Sequence, residues 1–327
     1  IDVTDDVHPE VAACAALAAR IVGLDIAGVD LVAQDISRPL EAQRGAIVEV
    51  NAGPGLLMHI KPAEGTPRPV GEAIVNHLFP PGAPFNLPSD GVTGSRGKTL
   101  VAQLVANLLQ LTGNKIGLAC SKGMYLNQRV LDRNDCANWE GARRVLLNRQ
   151  VETAVFENDS RTILNEGLAY ERCAIGIVTS LDPNDTVPEN SILEPRQIYN
   201  VMRTQVDVVL PDGAAILNAD DELVAEMAEL SDGEVIFFAR FAHNARVAAH
   251  LANGGRAVYT DGEQIVLATG TDAQPLLPLS AIPLAQVSKP HTVEHILAAI
   301  GAVWALDLPR EMMIAGLQTF STQSSWN

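Results

Sequence analysis

The sequence predicts an α/β protein in two parts, and three observations carry the prediction. After residue 90, short apolar runs alternate with helix-patterned segments, the signature of a largely parallel sheet covered by helices. A glycine-rich loop ending in Gly97-Lys98-Thr99 stands directly before one of those helices. A stretch dense in Pro and Gly, running up to Asp90, separates this region from a smaller first one.

In the first region, residues 8–22 are Ala-rich with apolar side chains at helical spacing, which predicts a helix. Two apolar runs, Leu24 to Ala33 and Gly45 to Val50, flank a polar, Pro-containing segment and predict a hairpin with a long connection. A short helix is expected from about Val70 to Leu78, and Phe79 to Asp90 reads as an interdomain linker. In the second region, Lys98 to Leu111 places Leu100, Val101, Leu104, Val105, Leu108 and Leu109 on one helix face and stops at Gly113. Buried-type strands are expected at 151–156, 174–179, 206–210 and 214–217. A hairpin should turn at Asp261-Gly262 and a helix should span His291 to Trp304.

With 327 residues and 47% hydrophobic content the chain can bury a sizeable core, which excludes fibrous and disordered classes. Its 23 Lys and Arg against 39 Asp and Glu give a net charge of -16, which speaks against a broad basic face and a nucleic-acid partner. Aromatic residues, at 4%, supply few platforms for stacking bases. Cys14, Cys120, Cys136 and Cys173 are scattered without a CxxC pair and read as buried thiols in a reducing compartment. No apolar run approaches the ~20 residues of a membrane span and no signal-like stretch opens the chain, so a cytoplasmic protein with no membrane partner is expected. Starting at Ile1 and stopping at Asn327 after a helix-like segment, the sequence is expected to be a fragment of something longer.

The strongest local signal is Gly91-Val92-Thr93-Gly94-Ser95-Arg96-Gly97-Lys98-Thr99. Backbone N–H groups of such a loop, with the helix N-terminus behind it, can cradle phosphate oxygens. Lys98 would neutralise the outer phosphates and the Thr99 hydroxyl could hold Mg²⁺. The strict GxxxxGK[ST] spacing is missed because Val92 stands where the first Gly belongs, and Leu87-Pro88-Ser89-Asp90 lacks the apolar pattern of a strand leading into the loop. Glu157 closes the run Val151 to Phe156, so its carboxylate belongs at the C-terminal end of a strand, where it can reach the same cation as Thr99. Alternation puts Glu49 and Asn51 on one strand face, two oxygen ligands suited to Mg²⁺, and Asp30 at the end of the neighbouring run can complete the set. His291 and His295 lie four apart on one helix face without a carboxylate or Cys to complete a zinc site, which leaves ordinary helix-face histidines or contacts to a nucleotide base. Asn218-Ala219-Asp220-Asp221 is either a ligand-side loop or the N-cap of a helix beginning near Glu222.

Assembled, these residues resemble the cyanophycin synthetase family, which joins an ATP-grasp ligase domain to a Mur-ligase-like domain. GLDIAGVDLVAQDISRPL and GAIVEVNAGPGLLMHI look like the closing part of the ATP-grasp domain, and GVTGSRGKT looks like the Mur-ligase phosphate loop. The resemblance implies residues 1–82 as the C-terminal part of an ATP-grasp domain, 83–320 as a Mur-ligase-type P-loop α/β domain that binds ATP, and 321–327 as the start of a further domain. It carries Asp30, Glu49 and Asn51 onto magnesium positions. It likewise carries Gly94, Ser95, Arg96, Gly97, Lys98 and Thr99 onto ATP-binding positions, with Lys98 and Glu157 catalytic and Thr99 and Glu157 at magnesium. His291 and His295 fall in a stretch where the family carries Asn near adenine. ATP and Mg²⁺ are the implied cofactors. Amino acids and an Asp-Arg polymer primer are the implied partners, joined through acyl phosphates, and a homo-oligomer is expected of the full-length protein.

The chain also departs from the family pattern. Asn158 to Thr162 replaces TARGG, Thr186 stands where a metal-binding His belongs, Leu100 follows Lys98-Thr99 where Thr is usual, and Gln323-Ser324-Ser325 replaces PGR. These changes are expected at catalytic positions and point to a divergent paralogue, with an ATP-binding regulatory or scaffolding subunit as the alternative.

Overall fold

Contacts in the computed structural model, which describes residues 1–80, 87–286 and 291–320, divide the chain into two units, Ile1–Asn86 and Leu87–Asn327. The expected boundary at 82/83 and the expected domain start at 321–327, including Gln323 to Ser325, lie outside the described residues.

In the first unit a helix spans Pro9–Val22. Pro sits in its first turn, His8 Nδ1 accepts the Glu10 N–H, and Gly23 closes it at φ +85°. Strands β1 (Gly28–Val32) and β2 (Ala46–Asn51) pair antiparallel, with Asp30 opposite Glu49 and Gly28 opposite Asn51. The short helix Val70–Leu78 forms where the pattern places it. Val11 and Gln43 are the buried residues among those described in this unit, while Leu17, Ile21, Val48, Met58 and Val75 are exposed.

Among the described residues, the second unit is built on one eleven-stranded sheet. Its strands are β3 (Ser89–Thr93), β4 (Ile116–Cys120), β5 (Gly123–Leu126), β6 (Arg129–Asp132), β7 (Thr153–Glu157) and β8 (Cys173–Val178). Then come β9 (Val209–Asn218), β10 (Glu234–Ala239), β11 (Arg256–Asp261), β12 (Gln264–Thr269) and β13 (Asp272–Pro278). They lie in the order β13-β12-β11-β10-β9-β8-β3-β7-β4-β5-β6; from β11 to β4 every neighbouring pair is parallel, and antiparallel ribbons extend both edges. Helices Lys98–Gln110 and Thr292–Ala305 cover one face, where Leu104, Leu108, Ile296 and Ile300 join Val92, Ile177, Ile216 and Val258 in one core. On the other face Ile198, Met202 and Val206 pack with Val178, Leu217 and Phe237. Apolar residues buried on both faces explain why the parallel strands read as unbroken apolar runs. Among the described residues no helix is long and apolar enough to cross a membrane.

Three expectations are corrected. Ser89 and Asp90 belong to β3 and not to a linker: the strand is buried throughout, with Asp90 between Val155 of β7 and Ile175 of β8. Backbone pairing on both sides holds this segment in the sheet despite its polar side chains, and neither Asp90 carboxyl oxygen has a hydrogen-bond partner among the described residues. Burial pushes its pKa up to about 8. The two strands expected at 206–210 and 214–217 are a helical turn, Thr204–Asp207, followed by the single strand β9. Of the cysteines, Cys14 is exposed on its helix, and the other three are buried.

Candidate functional site

β3 lies at the centre of the sheet between β7 and β8, so the loop that leaves its C-terminal end opens at the switch point where α/β sheets bind ligands. The loop bends through Gly94 (φ +133°) and Gly97 (φ +79°) into the helix beginning at Lys98. At Gly97 a Cβ atom would stand 2.0 Å from His295 Nε2, so both conformation and space demand glycine. Ser95 N–H donates to the Ser180 carbonyl at 2.8 Å, Thr179 Oγ1 donates to the Arg96 carbonyl at 2.6 Å, and Asp182 N–H donates to Ser95 Oγ at 2.8 Å. The loop is therefore stitched to the segment after β8.

Lys98 Nζ donates to the Gly94 carbonyl at 2.9 Å and lies 3.6 Å from the Asp159 carboxylate. One turn of contacts away, Thr99 Oγ1 donates to Glu157 Oε1 at 2.9 Å and lies 2.9 Å from Ser121 Oγ, while Ser121 N–H donates to Glu157 Oε2 at 2.8 Å. The structure thus brings together Thr99 and Glu157, 58 residues apart in sequence, as their motif positions predict. A hydroxyl pair and a carboxylate beside a phosphate-type loop are hard oxygen donors that suit Mg²⁺, whose other positions are commonly filled by water and phosphate. Ser121 escaped the sequence reading, although it follows an apolar strand end in the same way as Glu157.

Arg96 pairs with the Asp182 carboxylate and lies 3.2 Å from His291 Nε2. Asp182 also accepts from Asn184 N–H at 2.9 Å, and its carboxyl is held below the ordinary value by that bond and by Arg96. His291 Nδ1 in turn lies 3.4 Å from Glu294. His295 packs against Gly97, and burial lowers its pKa to about 4, so its ring is neutral at pH 7. Arg96, Thr179, Ser180, Asn218, His291 and His295 line one small cleft beside the loop. Asn218 Nδ2 donates to the Thr179 carbonyl at 2.9 Å, whereas Asp221 is the N-cap of the helix Glu222–Glu226, so the 218–221 segment serves as the N-cap and places Asn218 in the cleft lining. A second cleft of about 350 Å³ is lined by Asp159, the carboxylate beside Lys98, together with Ser121, Asp135, Asn138, Glu157 and Arg161.

The divergent stretch after Glu157 is mixed in character. Asn158 and Ser160 are buried scaffold residues, contrary to the expectation that all the departures fall on catalytic positions. Asn158 Nδ2 donates to Tyr170 Oη at 2.7 Å and to Gln205 Oε1 at 2.8 Å, in the space left by the missing side chain of Gly91. Asp159, Arg161 and Thr162 face the cleft.

In the first unit, Asp30, Glu49 and Asn51 lie in register on one hairpin face, and Asn51 Nδ2 donates to Asp30 Oδ2 at 3.3 Å. Asp30 and Asn51 line a cleft of about 740 Å³ with Gly28, Met58, His59 and His77; Glu49 is not part of that lining. Among the described residues no three His, Cys, Asp or Glu side chains gather as a metal cage.

The model of the Mur ligase middle domain matches residues 92–303, and the chain belongs to that family. It is 36% identical to cyanophycin synthetase of Synechocystis sp. over 99% of its length, and spans 37% of that relative. It is also 28% identical to the UDP-N-acetylmuramoylalanine–D-glutamate ligase of Desulfitobacterium hafniense, over 70% of this chain and 43% of the relative. Among solved structures, a UDP-N-acetylmuramoyl-L-alanyl-D-glutamate–2,6-diaminopimelate ligase superposes with a TM-score of 0.56 at 12% identity, covering 75% of this chain and 49% of the other, which is a likeness of fold.

Proposed function

We propose that this chain carries the nucleotide centre of an ATP-dependent carbon–nitrogen ligase that extends an Asp-Arg polymer, as the likeness to cyanophycin synthetase suggests. The observation that carries the reading is the convergence of Lys98, Thr99, Ser121 and Glu157 at the end of the central strand. In this reading ATP lies on the loop 94–99 with its outer phosphates at Lys98, and its base reaches the cleft near His291 and His295. A substrate carboxylate takes the terminal phosphoryl group, and an amine then forms the C–N bond as the C–O bond to phosphate breaks. Phosphate leaves with that electron pair, and the ammonium's two surplus protons pass to phosphate and water. Lys98 stabilises the charge on the transferring oxygens. Thr99 and Glu157, with Ser121 beside them, would hold Mg²⁺, which supplies further charge neutralisation when bound. Asp30, Glu49 and Asn51 belong to a separate ATP-grasp centre that residues 1–82 furnish in part, and the full-length protein is taken to be a cytoplasmic homo-oligomer.

The test has two arms. Calorimetry of Lys98→Ala should show ATP affinity lost, and unchanged affinity would sink the site assignment. ATP-dependent incorporation of radiolabelled Asp and Arg into polymer by the full-length protein tests the chemistry, and its absence with both amino acids would overturn it.

A further inference from the structure

Lys98 has two partners, and one of them is a charge. Its side chain is 14% exposed and contacts the Asp159 carboxylate at 3.6 Å, while the Asp159 side chain is 44% exposed and lines the cleft of about 350 Å³. The orientation of that carboxylate is fixed, because Oδ1 accepts the Arg161 N–H at 2.9 Å as the N-cap of the helix Ser160–Asn165, leaving Oδ2 toward Lys98. Of the other charges lining the cleft, Asp135 accepts the Ala137 N–H through Oδ1 at 2.9 Å and pairs with no cation among the described residues, while Glu157 and Arg161 are engaged. Both Glu157 oxygens take bonds from Thr99 and Ser121, and Arg161 is paired with Glu189 at 2.9 Å. A phosphate chain on the loop would draw the Lys98 ammonium toward itself and leave the Asp159 carboxylate without its cation.

From this geometry we propose that Asp159 is the residue that binds the reacting ammonium group of the amine substrate, taking it in exchange for Lys98. The inference rests on the ligase reading and adds to it the group that holds the nucleophile. An α-amino group has a pKa near 8, so the substrate arrives mostly as a cation at pH 7. The acyl phosphate forms beside Lys98, so an ammonium seated on Asp159 stands next to the carbonyl that its nitrogen attacks once the first proton has passed to water, which assigns Asp159 to the reacting end of the amine and not to a distant side chain. The cleft volume falls within the roughly 300–1,000 Å³ of small-molecule sites.

The experiment compares full-length wild type and Asp159→Asn. Asn caps a helix as well as Asp does, so the substitution removes the charge and keeps the local fold. ATP affinity is measured by calorimetry, and KM for L-arginine by ATP-dependent incorporation. Asp159→Asn should bind ATP as tightly as wild type or more tightly, because the phosphates lose their competitor for Lys98. Its KM for L-arginine should rise roughly 10- to 100-fold, the worth of one hydrogen bond to a charged group. Nα-acetyl-L-arginine, which keeps the guanidinium and lacks the reacting ammonium, should compete equally weakly in both proteins. An unchanged KM in the variant, or competition by the acetylated amino acid that the substitution weakens, would overturn the assignment while leaving the ligase reading standing. Wild type that binds ATP but incorporates no amine would overturn the ligase reading itself, and the assignment with it.

Discussion

Asp90 places a neutral acid in the middle of the sheet, and replacing it tests the electrostatics of the core directly. Its pKa is pushed from the ordinary 3.8 to about 8 by burial. A carboxyl with a raised folded-state pKa contributes stability that is fully present below pH 3.8 and is lost as pH rises through about 8. Between those limits the native protein keeps a proton that the unfolded chain has released, at a cost of about 1.4 kcal/mol per pH unit. By pH 7 the cost reaches about 4 kcal/mol, a large share of the ~5–15 kcal/mol that holds a typical domain together. Asp90→Asn removes the titration and retains nearly the same shape. The difference in unfolding free energy between variant and wild type should therefore climb steadily in favour of the variant from pH 4 to pH 8 and flatten above it. Urea denaturation at a series of pH values, followed by tryptophan fluorescence, measures this difference. Parallel pH profiles for the two proteins would mean that Asp90 has the same pKa folded and unfolded, and the reasoning would be wrong.

Three further outcomes are expected. Gly97→Ala should abolish calorimetric ATP binding, because the new Cβ would meet His295 at 2.0 Å and the residue is held at φ +79°, and normal binding would show that the loop relaxes freely. His295 has a folded-state pKa lowered to about 4, so its contribution is present above its ordinary 6.5 and is lost as pH falls through 4. His295→Asn should remove that acid sensitivity in the same denaturation series. Residues 1–82, which carry Asp30, Glu49 and Asn51 without a phosphate loop, should not bind ATP at micromolar concentrations by calorimetry, and binding there would refute the assignment of those residues to half a site.

By itself the sequence determined the features written in local windows. The glycines and Lys98-Thr99 before a helix, the carboxylate closing an apolar run at Glu157, the β1–β2 hairpin and the α/β alternation all follow from the pattern of residues within and between successive segments. The tertiary structure alone decided what depends on partners far along the chain. β3 was hidden because Ser89 and Asp90 look polar, and only pairing with β7 and β8 makes a strand of them. Arg96 has no direction in the sequence and acquires one from Asp182 and His291, 86 and 195 residues away. Asn158, which reads as a change at the catalytic centre, becomes a scaffold residue because Tyr170 and Gln205 satisfy its amide in the core. Ser121 and Asp159 enter the site for the same reason. Parallel strands deliver their C-terminal ends to one edge of the sheet, so side chains from separate segments meet there although no local pattern links them.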